Sequence, residues 1–84
     1  MALYGEQVRA ARALLRWTRR ELADRAAEFA PISPETIKKW EETDGPISAL
    51  THKADAVTRV FVEAGVELLN SDRPGARLAT KKAT

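Results

Sequence analysis

Residues 18–41 read TRRELADRAAEFAPISPETIKKWE, and this stretch decides the fold. It opens on a capping box, in which the Thr18 hydroxyl can accept from the Glu21 backbone while the Glu21 carboxylate reaches back to the Thr18 N–H. It closes on Ser33 as N-cap, Pro34 at the first helical position where its missing N–H costs nothing, and Ile37-Lys38-Lys39-Trp40. Between the two, Ala30 precedes Pro31, a context that disfavours helical dihedrals, so the first of these helices should stop there. Two short helices so joined, the second basic and outward-facing, make a unit that can place a helix in the DNA major groove.

Upstream, a helix is expected from about Glu6 to Leu15, with Val8, Ala11 and Leu15 as its inner stripe. Trp17 follows as a core residue of the link. In the second helix Leu22, Ala26 and Phe29 continue one apolar face, and in the third Ile37 and Trp40 are buried. Asp44-Gly45-Pro46 is turn chemistry. A fourth, longest helix begins at Ser48 or Thr51 and runs to Ala64, with Gly65 as its C-cap and Leu50, Ala54, Val57 and Phe61 on one stripe beside Val60. Val66 to Leu69 and Ala76 to Leu78 read as short strands around the turn NSDRPG. A lone hairpin is marginal in water and must lean on something. Residues 80–84 are expected to be disordered. The expected fold is an all-α domain of four to five helices with a short C-terminal β-hairpin, forming one unit over residues 1–79.

Composition narrows the function. Eighty-four residues leave little room for a deep catalytic cavity. With no cysteine, disulfides, thiolate metal sites and cysteine nucleophiles are excluded, and the single histidine, His52, has no second histidine to complete a ligand pair. No apolar run approaches the roughly 20 residues of a membrane span, and MALYGEQVRAAR is not a secretory signal, so a cytoplasmic protein is expected. No nucleophile–base–orienter arrangement and no Gly-rich phosphate loop is present, so neither an enzyme nor a cofactor or metal is expected. The net charge is only +2, but Arg9, Arg12, Arg16, Arg19 and Arg20 face one acid, Glu6, near the start. Arg73, Arg77, Lys81 and Lys82 face Asp72 near the end, and Glu41, Glu42 and Asp44 form an acidic patch between. A basic front of this kind suits a polyanion.

Several linked pieces carry a family resemblance: RAAR at 9–12, LLRWT at 14–18, ELADRA at 21–26, SPETIKKWE at 33–41 and EAGVELL at 63–69. In this order they resemble the XRE (Cro-type) helix-turn-helix regulators, over roughly residues 6–69. The resemblance implies a lambda-repressor-like domain that binds palindromic double-stranded DNA as a homodimer and represses or autoregulates transcription, with a possible contact to RNA polymerase. It implies base-reading by Ser33, Pro34, Glu35, Thr36, Lys38 and Lys39. Lysine can donate to guanine and glutamate can accept from cytosine. Phosphate contacts are expected from Thr18, Arg19 and Arg20, with Arg9 or Arg16, and the second helix's N-terminus offers N–H groups to phosphate. Arg12 and Glu41 match a family pair that ties the first helix to the end of the third. Val62, off the core stripe, forms with Val66, Leu68 and Leu69 an expected dimer patch.

The chain departs from the family in three places. Arg16 stands where the family usually has glycine. Glu28 to Pro31 are inserted where the family turns at about Ala27; four residues is close to one helical turn, so the second helix is expected to lengthen without rotating its apolar face. The 45–47 link lacks the family's basic residue, for which His52 and Lys53 are candidate substitutes. Two other readings of the same chain are an antitoxin that carries a DNA-binding unit and a protein-interaction module whose third helix binds no DNA.

Overall fold

The computed structural model describes residues 3–43, 45–47, 51–69 and 74–79. The expected start of the fourth helix at Ser48, Leu50 of its stripe, Asp44, and residues 70–73 of the hairpin turn lie outside the described residues, as do Lys81, Lys82 and the segment 80–84. The elements run α1 Gly5–Leu15, α2 Arg19–Ala26, α3 Pro34–Glu41, α4 Thr51–Glu63, β1 Val66–Leu69 and β2 Gly75–Leu78. Most of the described chain is therefore helical, with one antiparallel hairpin.

The capping signals act as their chemistry demands. Glu21 N–H donates to the Thr18 hydroxyl (3.0 Å) and Thr18 N–H to the Glu21 carboxylate (2.7 Å). Ser33 accepts from Thr36 N–H (3.2 Å), with Pro34 at the first helical position. Gly65, at φ 94°, follows α4 in the conformation that glycine adopts without a Cβ penalty. The stripes converge on one core: Val8, Ala11, Leu22, Ala26, Ile37, Val57 and Phe61 are fully buried. Each large side chain among them contributes roughly 1.5–3 kcal/mol by leaving water. Trp17 closes the core from the α1–α2 link, half-buried, with its ring stacked on Phe61 at 6.3 Å between centroids.

The hairpin leans on α1 and α4. Its register pairs Val66 with Leu78, Glu67 with Arg77, Leu68 with Ala76 and Leu69 with Gly75. Val66 enters the core and Leu68 packs against it. Gln7 of α1, fully buried, donates from Nε2 to the carbonyls of Leu69 (2.8 Å) and Gly75 (3.4 Å), while its Oε1 accepts from Tyr4 N–H (2.9 Å). One side chain thus ties the turn end of the ladder to the start of a helix.

Two expectations are corrected. Helix α2 does not lengthen by a turn: it ends at Ala26, and Phe29 is 37% exposed while Ala30 is buried. The insertion folds instead into a tighter turn, in which Glu28 and Phe29 donate to the third residue back (Arg25 O, 3.4 Å; Ala26 O, 2.9 Å). The helical rotation that would carry Phe29 along the Leu22–Ala26 stripe therefore does not continue past α2, and Ala30 rather than Phe29 turns inward. The Arg59 guanidinium of α4 covers the displaced ring at 4.4 Å. The second correction concerns Val66, expected on an intermolecular patch but only 3% exposed. Strand alternation sends Val66 and Leu68 toward the chain's own core and leaves Glu67 and Leu69 outside.

Candidate nucleic-acid interface

Helix α3 is eight residues long, about 12 Å. At about 100° per residue, Ile37, Trp40 and Glu41 share one side, and all three are buried. Glu35, Lys38 and Lys39 fall within about 100° of arc on the opposite side, and all three are exposed. Among the described residues neither lysine has an ion pair or hydrogen-bond partner for its ammonium group. Of the remaining expected readers, Ser33 is exposed, with its hydroxyl shared between Thr36 N–H and the Thr36 hydroxyl (3.1 Å). Pro34 and Thr36 are half-buried. The six residues thus lie together, with Glu35, Lys38 and Lys39 the most available.

What holds α3 in place is a cluster around Glu41. Its carboxylate, 1% exposed, accepts two bonds from Arg12, at 2.7 Å from Nε and 3.0 Å from Nη2, and one from Arg19 Nε at 3.0 Å. Arg12 also donates to Trp17 O (2.9 Å), and Arg9 donates to the Glu41 carbonyl. The expected Arg12–Glu41 contact is present, and it is bidentate. Burial pushes the Glu41 carboxyl up, but the hydrogen bonds and charges of Arg12 and Arg19 outweigh that effect and hold it below its ordinary range. The hydrogen bond to Glu41 in turn raises Arg12, against its partial burial. Elsewhere on α1, the Gly45 N–H donates to Glu6 (2.8 Å) and lowers that carboxyl, fixing the 45–47 link to the helix.

The expected phosphate contacts divide accordingly. Arg19 and Arg9 are committed, at least in part, to Glu41; the sequence does not reveal this because their partner lies across the fold. Arg20 projects into solvent, its side chain 78% exposed and only loosely paired with Asp24 at 3.8 Å. Arg16 is exposed as well. The Thr18 hydroxyl is taken up by its own cap, and the next N–H groups, those of Arg19 and Arg20, lie outside the helical ladder. His52 is exposed and Lys53 half-buried at the start of α4.

Of the expected dimer residues, Val62 is 56% and Leu69 36% exposed, whereas Leu68 is half-buried and Val66 lies in the core. Leu78, not anticipated, is 52% exposed opposite Val66. Its exposure follows from its place at the strand's end, which periodicity alone does not mark. Among the described residues no helix is long and apolar enough to cross a membrane, and no group of three or more His, Cys, Asp or Glu could hold a metal ion. The chain matches no family model, no curated protein and no solved structure.

Proposed function

We propose that this protein is a sequence-specific double-stranded DNA-binding regulator of transcription, acting in the cytoplasm and using α2–α3 as a helix-turn-helix. Membership of the XRE type, which the sequence pieces resemble, is part of this reading. The observation that carries it is the outward trio Glu35, Lys38 and Lys39, set opposite the buried side of α3. A helix so presented fits a major groove about 12 Å wide, where lysine can donate to guanine O6 and N7 and glutamate can accept from cytosine N4. Arg20 and the first N–H groups of α2 would meet the phosphate backbone and fix the register. The Glu41 cluster supports the same reading, since it sets the angle of α3 against α1 and α2 with charge-assisted bonds.

One such unit covers about one half-site, so two copies on a palindrome are part of the proposal. The exposed Val62, Leu69 and Leu78 are the surface offered to a second copy. In this reading the protein acts by occupying its site. Selection of bound sequences from random duplex DNA tests the reading: a recurring half-site in twofold repeat is expected. Failure to enrich any sequence, together with no salt-dependent binding to duplex DNA, overturns it.

A further inference from the structure

Helix α1 ends in a Schellman motif whose left-handed position is filled by an arginine. Trp17 N–H donates to Arg12 O (3.0 Å) and Arg16 N–H to Ala13 O (3.1 Å), and Arg16 sits between them at φ 58°, ψ 36°. It is the one non-glycine residue at positive φ among those described. In that region the Cβ crowds the following carbonyl oxygen, which is why glycine normally stands there. The fold gains from the side chain only a cation's mild attraction to the negative end of α1. Arg16 is exposed, and among the described residues its guanidinium has no hydrogen bond, ion pair or ring contact. That attraction to the helix end is under about 1 kcal/mol at an exposed site, so a strained backbone position holding an unpartnered cation points to a use outside the chain.

Its surroundings indicate what the cation would meet. Arg20 follows four residues later and is mostly exposed. Of the carboxylates near this junction, Glu41 is held by Arg12 and Arg19, Glu21 accepts from the Thr18 N–H and Asp24 is loosely paired with Arg20. Arg12, Arg16, Arg19 and Arg20 thus outnumber the three acids, and among the described residues Arg16 is the cation of this group without a partner.

We propose that Arg16 is a phosphate-binding residue of the duplex interface, kept in a left-handed conformation because its contact with the nucleic-acid backbone outweighs the strain on the fold. This rests on the DNA-binding reading above, and it predicts effects of opposite sign on stability and on binding. Arg16→Gly relieves the crowding and should raise the melting midpoint by about 2–6 °C, after allowance for glycine's greater freedom in the unfolded chain. The same variant should bind duplex DNA about tenfold more weakly at low salt, for cognate and random sequences alike. Its plot of log affinity against log salt should be shallower by about 0.9, the loss of one phosphate contact. Arg16→Lys keeps both charge and strain, so it should keep the slope and show no rise in midpoint.

The assay is salt titration of fluorescent duplex DNA with the full chain and both variants, alongside thermal unfolding. If the unaltered chain binds and Arg16→Gly binds with equal affinity and slope, the Arg16 assignment is overturned while the DNA reading stands. If Arg16→Gly also loses stability, the strain argument is overturned. Absence of binding by the unaltered chain overturns both.

Discussion

Replacing Glu41 by alanine removes the acceptor that joins α1 and α2 to the end of α3. The Glu41 carboxylate is 1% exposed, its partner Arg12 21% and Arg19 39%. Breaking a fully buried pair costs about 3–5 kcal/mol, because the remaining charge is left without a partner. Arg12 here keeps some access to water and can be partly rehydrated, which lowers the expected loss to about 2–4 kcal/mol. A domain of this size holds roughly 4–12 kcal/mol in total and loses about 4–8 °C of melting midpoint per kcal/mol. Glu41→Ala should therefore melt about 10–25 °C lower. Asp24→Ala is the control, since it removes a solvent-exposed contact to Arg20 worth under about 0.5 kcal/mol. Replacing Arg12 and Glu41 together by methionine should restore part of the loss, as only the more exposed Arg19 is then left without its partner.

The pH dependence gives a second readout. Because the folded Glu41 carboxyl lies below its unfolded value, its stabilisation is complete above about pH 4.3 and is lost as pH falls through the folded value. Glu41→Gln should therefore flatten the acid limb of the stability curve, leaving the contribution of Glu6, whose carboxyl is also lowered by the Gly45 N–H. Thermal unfolding followed by circular dichroism between pH 2 and about pH 7 measures both effects. A Glu41→Ala midpoint no lower than that of Asp24→Ala would refute the reasoning.

Three further outcomes are expected. A Cβ added at Gly5 would run into the backbone carbonyl oxygens of Trp40 and Thr43, so Gly5→Ala must push α1 away from α3 and should lower stability by about 1–3 kcal/mol in urea unfolding. Gln7→Leu leaves the carbonyls of Leu69 and Gly75 without their donor; about 1–3 kcal/mol should be lost, with faster hydrogen exchange in the hairpin than in α3. On DNA, Lys38→Ala or Glu35→Ala should relax preference at defined base pairs by about 1–3 kcal/mol, whereas Arg20→Ala should weaken all sequences alike and flatten the salt dependence. Identical behaviour of these three variants in competition binding would refute the division into base-reading and backbone-contacting residues.

Local chemistry alone determined most of the element boundaries. Thr18–Glu21 and Ser33–Pro34 start helices because their side chains satisfy N–H groups a few residues away, and Gly65 ends one because it lacks a Cβ. Periodicity likewise identified Val8, Ala11, Leu22, Ile37, Val57 and Phe61 as inward, and Glu35, Lys38 and Lys39 as outward, since both sets follow from rotation about a helix axis. Tertiary structure decided what depended on distant partners. Arg9 and Arg19 look like any other surface arginine until Glu41 is brought beside them, and Gln7 looks polar and exposed until the hairpin places two carbonyls above it. Phe29 left the apolar stripe because α2 ends at Ala26, and Val66 turned inward because the hairpin lies on its own helices. Bonds that close within a turn of helix are written in consecutive residues, whereas contacts across the fold depend on how whole elements pack, which neither spacing nor composition specifies.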